Sequence, residues 1–312
     1  MGQPDVFETG IKPLDLFAPV RHGDLVRWDA GFGCGHVACL AELTRNVLLA
    51  GYRGAIWTGF EDEHVNEREL RQALSQLGER ELVSLLMAPG SLSHDERLDH
   101  VREVRERLDG LGSAEPGRYL VVWFQDDAQM ADPALAFPAA NRPDGDGRAI
   151  TAICATPVRF PAAPAEPIKL AAPVRARVVH DLRLVERRMF PAVDALLTTS
   201  ANLAPEVVGP EHAEAAGAAR DLLERYAALD PDLHFPDLFV FPKSERATVT
   251  RAQRLYAYLT QAFKVSEVFS GMPGERVPLE RTLAGVRGLL AGELDDVPVR
   301  EVLYSGRLPR PG

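Results

Sequence analysis

The run AGFGCGHV at 30–37 sets Gly31, Gly33 and Gly35 in a tight turn. A strand-like stretch at 24–28 (DLVRW) precedes it, and a segment at 37–50 with helical apolar spacing follows. Such a strand, turn and helix can close backbone N–H groups around an anion, and the positive end of the helix dipole favours negative charge there. The chemistry on offer is phosphate binding. Two polar clusters also follow strand-like runs: Glu61, Asp62, Glu63 and His64 after AIWT, and Gln125, Asp126 and Asp127 after YLVVWF. Carboxylates at strand ends can hold a divalent cation through water, although acids that open a helix are also favoured simply by its dipole. A dinucleotide-binding reading of GFGCG fails, because the third glycine is wrongly spaced and no acid lies about 20 residues on. Cys34 sits inside the turn either as a reactive thiol or as a small residue filling a tight loop. Cys34, Cys39 and Cys154 form no paired zinc pattern and no disulfide framework, so they read as reduced thiols.

These groups need a framework, and the pattern of the chain supplies one. Strand-like runs at 55–58, 82–87, 119–124 and 149–154 alternate with helical patterns after 63, anchored near Leu70 and Leu77, and at 93–111. YLVVWF lacks polar alternation and therefore reads as a central strand covered on both faces. The expected class is α/β with a mostly parallel sheet. Stretches rich in Ala, Pro, Asp and Gly at 127–148, and in proline at 159–173, read as irregular loops. From about 244 onward the pattern is helical, at 248–263 and 278–291, with a turn at 271–274.

Three longer segments carry a family resemblance. ETGIKPLDLFAPVRHGD at 8–24, FPAVDALLTTSANLAPEVVGPEH at 190–212, and RAQRLYAYLTQAFKVSEVFSG with VPLERTLAGVRGLLAGELDDVP across 251–298 are similar, in order, to segments of the ATP synthase beta subunit. The likeness is weak between about 63 and 148. It implies a RecA-like P-loop domain over 1–243 and a small helical C-terminal domain over 244–312, with no counterpart of the family's N-terminal β-barrel before Glu8.

The resemblance also assigns roles. The family's GGAGVGKT falls on AGFGCGHV, so Gly31, Gly33 and Gly35 keep the turn while His36 replaces the phosphate-binding lysine and Val37 the magnesium-binding threonine. Imidazole is shorter than a lysine side chain and mostly neutral at pH 7, and an isopropyl group cannot coordinate magnesium. Glu61 resembles the catalytic carboxylate that orients the attacking water, and Asp62 replaces an arginine that would contact phosphate. Gln125 takes the position of the magnesium-linked acid, which Asp126 could supply after a one-residue adjustment. The adenine pocket maps onto Phe190, Phe263 and Phe269, all aromatic and able to stack on a base. The acidic loop that works against the central shaft becomes FVFPKSERA, with Lys243 and Glu245 and no acid cluster.

Bulk properties narrow the partners. A net charge of -10, with no basic stripe, argues against nucleic acid. No apolar run is long enough to cross a bilayer, and MGQPDVFETG is not a secretory signal, so the expected location is the cytoplasm or the periphery of a membrane complex. The expectation is an ATP synthase beta-like protein with a degenerate phosphate loop. It would bind ATP or ADP weakly, lack a competent Mg2+ site, and act through self-association or contacts with ATP synthase-type subunits. The alternative is an active ATP-binding subunit of a proton-translocating ATP synthase.

Overall fold

A computed structural model describes residues 6–62, 65–77, 82–114, 117–125, 129, 135, 149–157 and 174–306. The irregular stretches expected at 127–148 and 159–173 lie almost wholly outside these residues.

A two-stranded antiparallel ribbon, β1 (Val6–Phe7) with β2 (Val20–Arg21), flanks a short helix, α1 (Lys12–Phe17). Next come β3 (Leu25–Ala30), α2 (His36–Leu49), β4 (Gly54–Phe60), α3 (Glu67–Leu74), β5 (Val83–Ala88), α4 (His94–Ala114) and β6 (Arg118–Phe124). The sheet is completed by β7 (Ala149–Pro157), β8 (Ala176–Val179) and β9 (Thr199–Ser200). Its order is β5-β4-β6-β7-β3-β8-β9, parallel throughout except for the antiparallel β8–β9 pair. The α/β fold with a mostly parallel sheet is therefore as expected.

Period-two alternation splits each central strand between two cores. Val26, Trp28, Trp57, Leu120, Val122 and Ile153 face α2 and α3, whose Leu40, Leu43, Val47, Leu70 and Leu74 cover them. Leu25, Ile56, Val121, Trp123, Ala152 and Cys154 face the other way, onto Val101, Val104 and Leu108 of α4. Two-sided burial explains why YLVVWF has no polar alternation.

The helical part is a third core. Helices α5 (Pro210–Leu229), α6 (Arg246–Leu259) and α7 (Leu279–Ala291) pack through Leu222, Leu223, Tyr226, Leu255, Tyr258, Val286 and Leu289, with Leu16 and Phe17 of α1 inserted among them. Helix α6 stops at Leu259, short of the expected 263, because the Thr260 hydroxyl turns back onto the Ala257 carbonyl at 2.6 Å. Gln261 then leaves the helix and ties the two ends of the chain together. Its Nε2 donates to the carbonyls of Gly10 (2.7 Å) and Glu275 (2.6 Å), and its Oε1 accepts from the Lys12 N–H at 3.0 Å.

Lys12 is fully buried, with Nζ on the Ser305 carbonyl at 2.8 Å and 4.4 Å from the centre of the Tyr258 ring. Burial pushes its pKa down to about 7, against a weaker pull upward from Glu275. A depressed lysine pKa means that the unfolded chain binds the extra proton between about pH 7 and the ordinary value near 10.4, so stability rises with pH across that window. We expect urea unfolding of the wild type to show a gain on the order of 2–4 kcal/mol between about pH 7 and pH 10, and Lys12→Met to remove most of it. Parallel pH profiles for the two proteins would contradict this account of Lys12.

Candidate phosphate loop and strand-end site

The loop between β3 and α2 keeps the conformation its glycines suggested. Gly33 and Gly35 have φ of 80° and 71°, a left-handed region that side chains with a Cβ enter only at a cost. Gly35 is the residue that leads into α2, and a Cβ there would stand 3.6 Å from the Phe190 ring, in ordinary contact. The glycine is needed for backbone direction rather than for space. Cys34 is buried beneath the turn, and burial pushes its thiol up, which removes the thiolate that reactivity requires. Cys154 is likewise pushed up to about 12. Cys34, Cys39 and Cys154 are all free thiols.

His36 opens α2 at 9% exposure and Val37 packs against the core between sheet and helix. The N–H groups of a helix's first turn have no intrahelical partners, so this end of α2 can receive an anion. Beside it lies a small cavity of about 20 Å³, bordered by Trp28, Ala30, His36, Asp62, Gln125 and Thr156 among others. These residues come from the C-terminal ends of β3, β4, β6 and β7 and from the head of α2, which is where parallel α/β sheets place ligands. His180, one residue beyond β8, stands behind His36 with ring centres 6.4 Å apart. It is fully buried, and neither ring nitrogen has a hydrogen-bond partner of normal geometry, although the nearby Cys34 backbone pulls weakly toward protonation. Burial first and the neighbouring His36 second push its pKa down to about 3, so His180 is a neutral imidazole.

The strand-end carboxylates are committed locally. Glu61 accepts the N–H of Glu67, the first residue of α3, at 2.8 Å, and Asp62 accepts the N–H of Val65 at 2.8 Å. Glu61 thus serves the helix start, the structural role that an acidic run before a helix can always play. Gln125 is buried, accepts from the Cys154 thiol at 3.2 Å, and donates its backbone N–H to Ala155 at 2.8 Å. Asp126, the second candidate for magnesium, lies outside the described residues. Among the described residues no group of three or more His, Cys, Asp and Glu side chains could hold a metal ion.

Arg27 lies in β3, an interior strand of the sheet. Its guanidinium meets Asp29 on the same face, and Arg177 of the adjacent β8 reaches the other Asp29 oxygen at 2.7 Å. Asp29 has no exposed surface, and flanking guanidiniums compensate a charge that would be costly to bury alone.

The three aromatic residues are not equivalent. Phe190 lies against Gly35 of the loop, Phe263 is buried in the core shared with α2, and Phe269 is 65% exposed. Two links tie the segments of Phe190 and Phe263 into the fold. The Gln261 N–H donates to the Phe190 carbonyl at 2.8 Å, and the Val265 N–H donates to Glu42 of α2 at 3.1 Å. Glu42 is fully buried, its second oxygen has no hydrogen-bond partner, and Arg45 is 3.8 Å away. Burial pushes the Glu42 carboxyl upward, against the Val265 bond.

Sequence reasoning missed Glu42, His180 and the Asp29 pairing. Glu42 left a signal, since it falls at helical spacing with Cys39 and Asn46 on a side that is buried throughout. His180 left none, because a histidine after an apolar strand says nothing about the loop that will cover it.

No protein-family model matches the chain. It is similar to ATP synthase subunit beta of Coprothermobacter proteolyticus, at 28% identity over 98% of this chain and 73% of that protein. The three segments read from the sequence are thus part of an alignment that spans nearly the full length of this chain.

Removing the Glu42 acceptor should free the Val265 N–H. Glu42→Ala is expected to lower stability by about 1–3 kcal/mol and to speed amide exchange at Val265 more than at Trp57, while Glu42→Gln, which keeps an acceptor, stays close to wild type. Unchanged exchange at Val265 in Glu42→Ala would show that this bond does not hold the segment.

Proposed function

We propose that this chain, a relative of the ATP synthase beta subunit, is a nucleotide-binding protein that holds ADP or ATP through its phosphate loop without turning it over efficiently. Contacts with ATP synthase-type subunits or with a second copy of itself would then be its working output. The observation that carries this reading is the combination at the head of α2. The glycine turn retains its left-handed residues, whereas the next two side chains are an imidazole and an isopropyl group. Backbone amides are sufficient to receive a phosphate, but phosphoryl transfer depends on a fixed cation and a magnesium ion at the same place.

The fit of each part supports that division. For the phosphates, the loop backbone and the first turn of α2 offer donors beside the cavity, and Phe190 at Gly35 and Phe269 near the surface offer rings to the base. For magnesium the donors do not fit, because Val37 turns to the core, Gln125 is held by Cys154, and Glu61 is held by α3. Magnesium, where bound, would supply charge neutralisation between phosphates, and no step here is drawn through it. No helix among the described residues is long and apolar enough to cross a membrane, in keeping with attachment through other chains.

Calorimetric titration with ADP and ATP, with and without Mg2+, run beside a phosphate-release assay, tests the proposal. The expected result is micromolar or weaker binding that changes less than about threefold with Mg2+ and no measurable release of phosphate. Magnesium-dependent binding with turnover abolished by Glu61→Gln would overturn it in favour of an active ATPase subunit. Absence of any nucleotide binding would leave only the contacts with other chains.

A further inference from the structure

A larger hollow lies where the N-terminal segment meets the heads of α5 and α7. It holds about 510 Å³ and shares no lining residue with the cavity at the strand ends. A space of that size is in the range that small ligands occupy. Carboxylates from four segments border it: Glu8 just after β1, Glu206 in the short helix Pro205–Val208, Glu211 in the first turn of α5 and Glu280 in the first turn of α7. The cation among its lining residues is Arg287, which pairs with Glu211 at 2.9 Å.

Not all of the acids here are available. Asp15, buried at the same wall, accepts the Thr9 and Gly10 N–H groups at 2.7 and 2.8 Å, and Glu8 accepts the Leu279 N–H at 3.1 Å. Glu206 and Glu280 take part in no hydrogen bond or ion pair among the described residues. The first-turn N–H groups of α5 and α7 offset the acids by only about half a charge per helix, so the hollow is negative on balance. An anion would be repelled. A bare metal ion has no place either, since among the described residues no three His, Cys, Asp or Glu side chains could hold one.

The wall also carries an unsatisfied acceptor. His212, in the first turn of α5, is 2% exposed and borders the hollow. Its Nε2 lies 3.0 Å from the Leu16 carbonyl, which can only accept, so Nε2 carries the ring's proton. Burial pushes its pKa down, against pulls from the Leu16 and Asp15 carbonyls, and the ring is neutral at pH 7. Nδ1 is then a bare acceptor, and no group of the protein donates to it. Leaving a buried acceptor unmatched is costly, and what would match it is an N–H. We propose that the hollow binds a small organic polycation of the polyamine class, its ammonium groups facing Glu206 and Glu280 and one N–H donated to His212 Nδ1. A further space of about 300 Å³ continues it along α5 and α7, sharing Glu211 and Arg287 and adding Glu214, so a chain molecule with charges at intervals fits better than a compact cation.

This site is independent of nucleotide binding, and its test contains no nucleotide. Spermidine and putrescine are titrated calorimetrically into the full chain at low ionic strength. The expected result is a single saturable site for spermidine, weaker for the shorter putrescine, with spermidine affinity lowered on the order of tenfold in Glu206→Gln/Glu280→Gln. Asp232→Asn/Glu293→Gln removes the same charge at exposed positions just past the far ends of α5 and α7, and is expected to bind as the wild type does. In proton NMR the His212 ring signals should shift on spermidine addition, while those of His100 on α4 stay in place. Equal weakening in the two double variants would reduce the effect to the general attraction of an acidic protein and overturn the proposal. So would the absence of saturable binding, putrescine binding as tightly as spermidine, or His212 signals that stay still while spermidine binds.

Discussion

Parallel strands buried on both faces leave a polar group only one natural place to stand, the strand ends, and the architecture of this site follows from that constraint. β3, β4, β6 and β7 give their side chains alternately to the α2 and α4 sides, so their middles are almost entirely apolar. The chemistry-bearing residues cluster one step beyond: the glycine loop after Ala30, Glu61 and Asp62 after Phe60, Gln125 after Phe124, and His180 after Val179. Asp29 is a charged residue that does lie inside a strand, and it is matched by two guanidiniums. An uncompensated carboxylate at that depth would be expensive enough to alter the fold.

Helix α2 joins this strand-end cluster to the rest of the molecule. Its first residue borders the cavity, Glu42 in its middle holds the segment carrying Phe263, and Asn46 near its end donates to the Thr9 carbonyl at 2.8 Å. Gln261 completes the circuit by binding Gly10 and Phe190 together, through its side chain and its backbone. Displacement of α2 along its axis would therefore be felt both at the N-terminal segment and in the helical part.

Much of this was legible in the sequence wherever the signal was periodic or steric. The all-apolar YLVVWF reads as a doubly covered strand, and the glycines of AGFGCG read as a tight turn. The Phe190, Phe263 and Phe269 segments were visible through family likeness, and in the structure the three rings have quite different exposures. The aims of individual polar side chains were not legible. Glu61 engages Glu67 and Gln125 engages Cys154 through distances that only the packed structure fixes. A single strand's sequence does not disclose that Arg27 will have Arg177 as its lateral neighbour. The end of α6 was misjudged for the same reason, since Thr260 and Gln261 are unremarkable helix residues until their partners are known.

The position of Trp28 has an optical consequence. Its indole is fully buried under the phosphate loop, its Nε1 is unpartnered, and its ring centre lies 5.6 Å from that of His180. Trp57 and Trp123 are equally buried but are hydrogen-bonded elsewhere, to Thr44 and Gln129. One of three indoles thus borders the cavity and senses its imidazoles, while the other two report on the sheet alone. The protein carries its own fluorophore at the site, in surroundings dry enough that a single charge or a few displaced waters would alter the emission, and no label need be attached to follow what enters.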